Sequence, residues 1–290
     1  MAVIQKHKVS ALDIALYSFL TLVAAATLFP LVNLIAVSFS SRAAYVRNPL
    51  MIIPTDIDLG AYKMVFKNRL LWQSYYNTIV VTIGGVIFSM FLTSTMAYPL
   101  SESTLKGKKW ISALFLFTMF FGGGMIPTYY LVRSLGMLNT LWALMIPGAL
   151  SVYNAMLMKN SFESIPSSLK ESARIDGAND LTIFIKIALP LSLPIIATLT
   201  LFYAVGQWNS YFGALIYTSQ KRDMWTLQLL LREIINTTAS LMDDGTSVET
   251  LPQESVRYAT IVLATAPILC VYPFLQKYFV KGMMVGAVKG

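Results

Sequence analysis

Residues able to make or break a bond are scarce in this chain. One histidine, His7, and one cysteine, Cys270, are present, which excludes a disulfide framework and leaves no His/Cys set for zinc. No Gly-x4-Gly-Lys-Ser/Thr phosphate loop, no Gly-x-Ser-x-Gly and no His-Glu-x-x-His occurs, so ATP binding by a phosphate loop and the common hydrolase chemistries are excluded. What remains are groups suited to docking and hydrogen bonding, and they lie in two places. The polar run IPSSLKESARIDGANDLTIFIKIALPLSLP, Ile165 to Pro194, carries Glu171, Arg174, Asp176 and Gly177 between two very apolar segments. Farther on, Gln207, Trp208, Asn209 and Tyr211 set amides and aromatic faces inside an apolar stretch, where an amide is costly unless it lines a cavity or bonds across helices.

The elements that must position these groups are membrane spans. The chain is 56% hydrophobic and only 12% charged, where a soluble domain carries about 25% charged residues. A net charge of +8 does not point to nucleic acid, because the Lys and Arg sit in short loops without a continuous basic stripe. Cytoplasmic positive charge accounts for it better. A hydrocarbon core needs about 20 mostly apolar residues per helix, which predicts an all-α protein with six spans at about 12–37, 77–100, 110–132, 139–158, 191–217 and 258–279. The polar run becomes a cytoplasmic loop over 165–190, residues 280–290 a cytoplasmic tail, and both termini lie inside. Asp13, at the edge of the first span, reaches the interface and is expected to do nothing more. Gly122, Gly123, Gly124 and Pro127 predict a break in the third span that is packed or lines a cavity. No Asp or Glu falls inside the five later spans, whereas ion-driven carriers usually need such groups near the midplane. An ion-driven carrier is therefore disfavoured.

Read locally, the polar run is a helix, a turn and a helix. Pro166 suits a first helical turn, and Ser168 with Glu171 three residues on forms a capping-box pattern. Gly177 supplies the residue tolerant of positive φ that ends the first helix, and Asn179 or Asp180 caps the second. Leu181, Phe184, Ile185 and Ala188 then fall on one face until Pro190 ends it. From spacing alone this is either an amphipathic hairpin on the membrane surface or a docking element.

The segment Glu171-Ser172-Ala173, three residues, Gly177, nine residues, Ile187-Ala188-Leu189-Pro190 resembles the signature loop of permease subunits of binding-protein-dependent ABC importers, written Glu-Ala-Ala, three residues, Gly, nine residues, Ile-x-Leu-Pro. Ser172 stands where that family prefers Ala, a small-for-small change. The run through Asp176, Gly177 and Ala178, the stretch FFGGGMIPTYYLV, the Gln207, Trp208, Asn209 cluster and the tail GMMVGAVKG are similar to the carbohydrate branch, which includes the maltose-type permeases. The resemblance runs from about residue 75 to the end. It implies the type I importer permease fold, with Glu171, Ser172, Ala173, Arg174, Asp176, Gly177 and Ala178 docking into a cytoplasmic ATPase subunit and moving with it. It also implies a tail that reaches the ATPase through Gly282, Gly286 and Lys289. The implied partners are a second, non-identical permease, two ATPase subunits that bind ATP and Mg, an external solute-binding protein, membrane lipid and a carbohydrate. The chain itself would be non-catalytic, bind no cofactor or nucleic acid, and sit in a prokaryotic cell membrane. Gln207, Trp208, Asn209 and Tyr211 would line the sugar path, with Tyr203 and Tyr129 as weaker candidates beside Tyr130, Tyr153 and Asn154. A permease for another solute and a structural membrane protein or channel are the alternatives.

Overall fold

The computed structural model describes residues 10–243, 254–267 and 269–270, and its regular structure there is helical apart from one isolated bridge, Ser40 to Ile57. The tail residues Gly282, Gly286 and Lys289, and residues 268 and 271–279 of the expected sixth span, lie outside the described residues. The chain divides into two compact units.

The first unit opens with α1 (Ala11–Ser38), whose 28 residues extend about 42 Å and contain the whole expected segment 12–37. Leu12, Tyr17, Phe19, Leu22 and Leu31 are exposed around it, as suits a helix whose solvent is hydrocarbon. Asp13 does more than reach an interface: it accepts from the Ser10 backbone N–H at 2.8 Å, and Ser10 caps in return. After α1 come α2 (Arg42–Arg47) and α3 (Gly60–Lys67). Phe39 stacks on Tyr62 at 4.7 Å, and Asn33 donates to the carbonyls of Pro49 and Met51. Helical residues 254–267 contribute Ser255, which donates to the Ser40 carbonyl.

The second unit is organised on α4 (Arg69–Ser101), whose 33 residues reach about 50 Å. The helix starts eight residues before the expected span at 77, because Arg69 to Tyr76 continue it instead of belonging to the preceding surface helix. Its buried stripe reads Ser74, Asn77, Val81, Gly85, Ser89, Thr93, Ala97, three or four residues apart and nearly all small or polar. Such a stripe lets neighbouring helices approach closely, and α8 (Val152–Glu163) and α12 (Leu193–Asn209) both pack on α4.

Between them the expected spans are interrupted. Segment 110–132 is two helices, α5 (Lys108–Phe120) and α6 (Met125–Ser134), meeting at 109°. Among the described residues the break is not packed: Gly122, Gly123 and Gly124 are exposed, and nothing lies within 4 Å of where a Cβ on the first two would stand. Three glycines in a row remove the side-chain restraints that favour helix, and Gly124 takes φ +87°. Segment 139–158 splits into α7 (Trp142–Met145) and α8 at Pro147-Gly148, where Gly148 takes φ +75°. Segment 191–217 ends its long helix at Asn209 and resumes in α13 (Phe212–Tyr217).

The start of α4 is tied to the segment that leads into α14 (Leu227–Asp243). Asn77 donates to the carbonyls of Asp223 at 2.6 Å and Trp225 at 3.0 Å, and Thr78 Oγ1 accepts from Leu227 N–H at 2.8 Å. Both residues are about 1% exposed, so losing the amide leaves the Asp223 carbonyl and the buried Trp225 carbonyl without this donor. Asn77→Ala should lower stability by ~1–3 kcal/mol, read as a lower thermal midpoint in detergent. A variant that melts like the parent would show that this segment is held by other contacts.

Candidate functional site

The polar run folds as a helical hairpin. The first helix, α9 (Ser167–Ile175), has Pro166 at its N-cap and no side-chain cap, so the capping box expected from Ser168 and Glu171 does not form. At the other end, Gly177 takes φ +85° and its N–H bonds the Arg174 carbonyl, while Ala178 N–H bonds the Ala173 carbonyl. This paired closure is the Schellman C-cap, which glycine adopts without a Cβ penalty. Asn179 then caps α10 (Asp180–Ile183) by accepting from Thr182 N–H at 2.8 Å.

The second helix does not stop at Pro190. It passes through a π-helical stretch, Phe184–Ala188, into α11 (Leu189–Leu191), and turns 80° at Ser192 into α12. The π turn shifts the phase of the buried face. Ile183 and Ala188 are fully buried with Phe184 and Ile187 packed beside them, whereas Leu181 and Ile185 are 64% and 52% exposed. The expected face of Leu181, Phe184, Ile185 and Ala188 is thereby corrected.

This buried face joins a core of Ala97, Tyr98, Met158, Phe162 and Leu199, so the hairpin is seated on the ends of α4, α8 and α12. Tyr98 meets Phe184 at 4.9 Å and Phe162 edge-on at 5.8 Å. The opposite surface is open. Glu171, Ser172 and Asp176 are exposed, and Ile175 is 87% exposed at the tip. Glu171 makes no hydrogen bond or ion pair among the described residues, whereas Arg174 pairs with Asp180 at 3.0 Å.

Sequence reasoning missed the charges behind the hairpin. Lys170 Nζ lies 2.7 Å from Glu102 Oε1, with its side chain only 9% exposed. The partners are 68 residues apart, and no local pattern announces such a pair. Nearby, Lys108 donates to the Ser101 carbonyl and to Glu163, which also pairs with Lys159. Burial works against the Glu163 carboxylate, but these two lysines outweigh it and hold its pKa below the usual carboxylate range.

The second region is a cavity of about 320 Å³ among α4, α7, α8, α12 and α13, at the small end of small-molecule sites. Gln207, Tyr203, Ser151 and Asn154 give it polar groups, and Phe202 and Tyr217 give it aromatic ones. Tyr203 Oη is shared by Thr93 Oγ1 at 2.7 Å and the Ser151 N–H at 3.2 Å. That ties three elements at one hydroxyl. Of the residues expected along the path, Gln207, Tyr203 and Asn154 line the cavity. Asn209 folds back on its own helix to the Val205 carbonyl, and the buried Trp208 Nε1 bonds no described residue. Tyr211 lies under the Arg232 guanidinium at 4.4 Å, and Tyr129 stacks on Tyr217 at the cavity's edge. Asn154, ranked low from sequence, is a lining residue.

Apolar helices around a small polar cavity, with an exposed hairpin at their end, define a transport permease. The family of binding-protein-dependent transport system inner membrane components matches residues 2–285, and this chain belongs to it. Members are non-catalytic membrane subunits that work with a binding protein. The chain is 44% identical over 281 residues to the polygalacturonan/rhamnogalacturonan transport system permease protein YtcP of Bacillus subtilis (strain 168), covering 96% of this chain and 98% of the relative. It is 30% identical over 284 residues to the galactooligosaccharides transport system permease protein GanQ of the same strain, with 94% of each covered. Its fold matches a chain from the crystal structure of a bacterial ABC transporter involved in importing the acidic polysaccharide alginate. That match has TM-score 0.86 and 34% identity, and covers 96% of this chain and 100% of that one.

Proposed function

We propose that this chain is a permease subunit of an ABC importer that moves a carbohydrate across a prokaryotic cell membrane by alternating access. The energy comes from ATP, held with Mg by two partner ATPase subunits. The observation that carries this reading is the hairpin, an exposed Glu171, Ser172 and Ile175 surface closed at Gly177 and seated on the ends of the helices that line the cavity. Glu171, Ser172, Ala173, Arg174, Asp176, Gly177 and Ala178 meet the ATPase, and the tail at Gly282, Gly286 and Lys289 adds a second contact. Six spans place both termini in the cytoplasm. A second permease completes the pathway, and a loaded binding protein docks on the outer side.

Carbohydrate is favoured because Gln207, Asn154 and Ser151 line the cavity beside Phe202 and Tyr217, a mixture that meets sugar hydroxyls and the C–H face of a pyranose. The relatives' substrates point the same way. The polygalacturonan and alginate relatives favour a narrower reading, an oligosaccharide bearing uronate carboxylates. Copurification with untagged partners, followed by ATPase stimulation with binding proteins loaded with uronate or neutral oligosaccharides, tests both. Stimulation by uronate-loaded protein is expected. Stimulation by neutral sugars alone overturns the narrower reading, and stimulation only by a non-sugar solute overturns the broader one.

A further inference from the structure

Glu102 directly follows the last residue of α4 and receives two cations from α9, Lys170 at 2.7 Å and Arg174 at 3.7 Å. The two are spaced i, i+4, so they lie on one face of α9, one turn apart. Lys170 is enclosed, 7% exposed, with its ammonium also 5.8 Å from the centre of the Tyr98 ring. Removing one partner of a buried ion pair leaves an uncompensated charge, which is strongly destabilising. The contact is therefore one the hairpin cannot slide across without leaving a buried charge unpaired.

What lies along α4 gives this attachment its meaning. Four residues before Ser101, Ala97 sits in the core shared with the hairpin, and Thr93 bonds Tyr203 in the cavity wall. Gly85 presses on Gln207, where an added Cβ would lie 2.9 Å from Nε2, and Val81 lines the cavity. At the far end, Asn77 and Thr78 hold residues 223–227. One continuous helix, carrying Pro99 in its last turn, thus runs from the Glu102 attachment, past the cavity, to the segment before α14. The third, fourth and fifth apolar segments are interrupted by bends or turns, and a bend absorbs displacement that a continuous helix passes on.

We infer that the Glu102–Lys170 pair is the positioning link through which displacement of the hairpin is delivered to α4, and so to the cavity wall. The inference rests on the reading of the hairpin as the ATPase-docking element. Neither residue touches solute or nucleotide. They act by making α9 and α4 move as one body.

The test uses the full transporter reconstituted in liposomes, with Glu102→Gln, Lys170→Gln, the double variant and Lys170→Arg. Three quantities are read: copurified ATPase, ATP hydrolysed with loaded binding protein, and solute moved per ATP. Each single Gln variant should retain its ATPase subunits while solute per ATP falls roughly tenfold, within the range by which residues along a coupling path change the coupling. The double variant should be no worse than the worse single, since linked residues are non-additive, and Lys170→Arg should restore at least half of the ratio. An unchanged ratio in the singles overturns the link, as does a double variant whose loss is the product of the two. If Glu102→Gln fails to assemble, Glu102→Asp decides the matter, because it keeps the charge and withdraws it by one methylene. A normal ratio there, with assembly intact, also overturns the link. Failure of the docking reading looks different: Gly177→Arg or Glu171→Arg would then transport normally, whatever the Glu102 variants do.

Discussion

Transporters carrying Glu171→Arg or Gly177→Arg should be inserted and stable yet fail to move solute. For Glu171 the reason is that no described residue of this chain pairs with it. Its carboxylate is exposed, bonds no described residue, and does not form the cap that its spacing from Ser168 suggests. A loss of function therefore reports on another polypeptide. For an interfacial charge pair, removing one partner costs ~2 kcal/mol or more, a loss of roughly 30-fold in affinity, and charge reversal costs further. For Gly177 the reason is conformational. Its φ of +85° is one that L-residues adopt at a cost of ~1–2 kcal/mol, while nothing lies within 4 Å of the position a Cβ would take. Gly177→Ala should therefore weaken transport modestly through strain alone, and Gly177→Arg should abolish it by opening the turn and placing a cation on the docking surface. Transport rate and copurified ATPase, measured on the same preparations, separate the cases. Full transport by either Arg variant would remove the hairpin from the mechanism.

The second large effect belongs to Gly85. A side chain there begins 2.9 Å from Gln207 Nε2 and 3.1 Å from its Cδ, so Gly85→Val must push the amide out of its place in the cavity or force α4 away from α12. Transport should fall at least tenfold, the scale of a catalytic or binding group misplaced by about an ångström, while the complex still assembles. Gln207→Ala should alter both rate and preference among sugars. Asn209→Ala should do little, because its amide bonds the Val205 carbonyl and takes no part in the cavity. Sugar-stimulated ATPase and uptake of two competing sugars would distinguish these outcomes. Equal effects from positions 207 and 209 would mean that the path runs elsewhere.

That contrast shows what a linear pattern conveys. Gln207 and Asn209 are neighbours in a polar cluster, but two residues along a helix turn about 200°, so one faces the cavity and the other does not. Turn chemistry is local and was legible: Gly177 and Asn179 perform the roles their types predict. The phase of the following helix was not, because a π turn leaves no reliable mark in hydropathy. Apolar length located the helices of the second unit, yet the 109° and 80° bends and the turn at Pro147-Gly148 are invisible to a count of apolar residues. Lys170 and Glu102 each read as an ordinary loop charge until the fold brings them to 2.7 Å.

The sharp corner between α5 and α6 has an energetic consequence. The N–H groups of Gly122, Gly123 and Gly124 donate to no described residue, and lipid offers none of the hydrogen bonds that water would. Each unsatisfied group costs several kcal/mol in hydrocarbon. At lipid depth such a corner is stable only when another chain or water covers it, so the cost of this break depends on what lies against it.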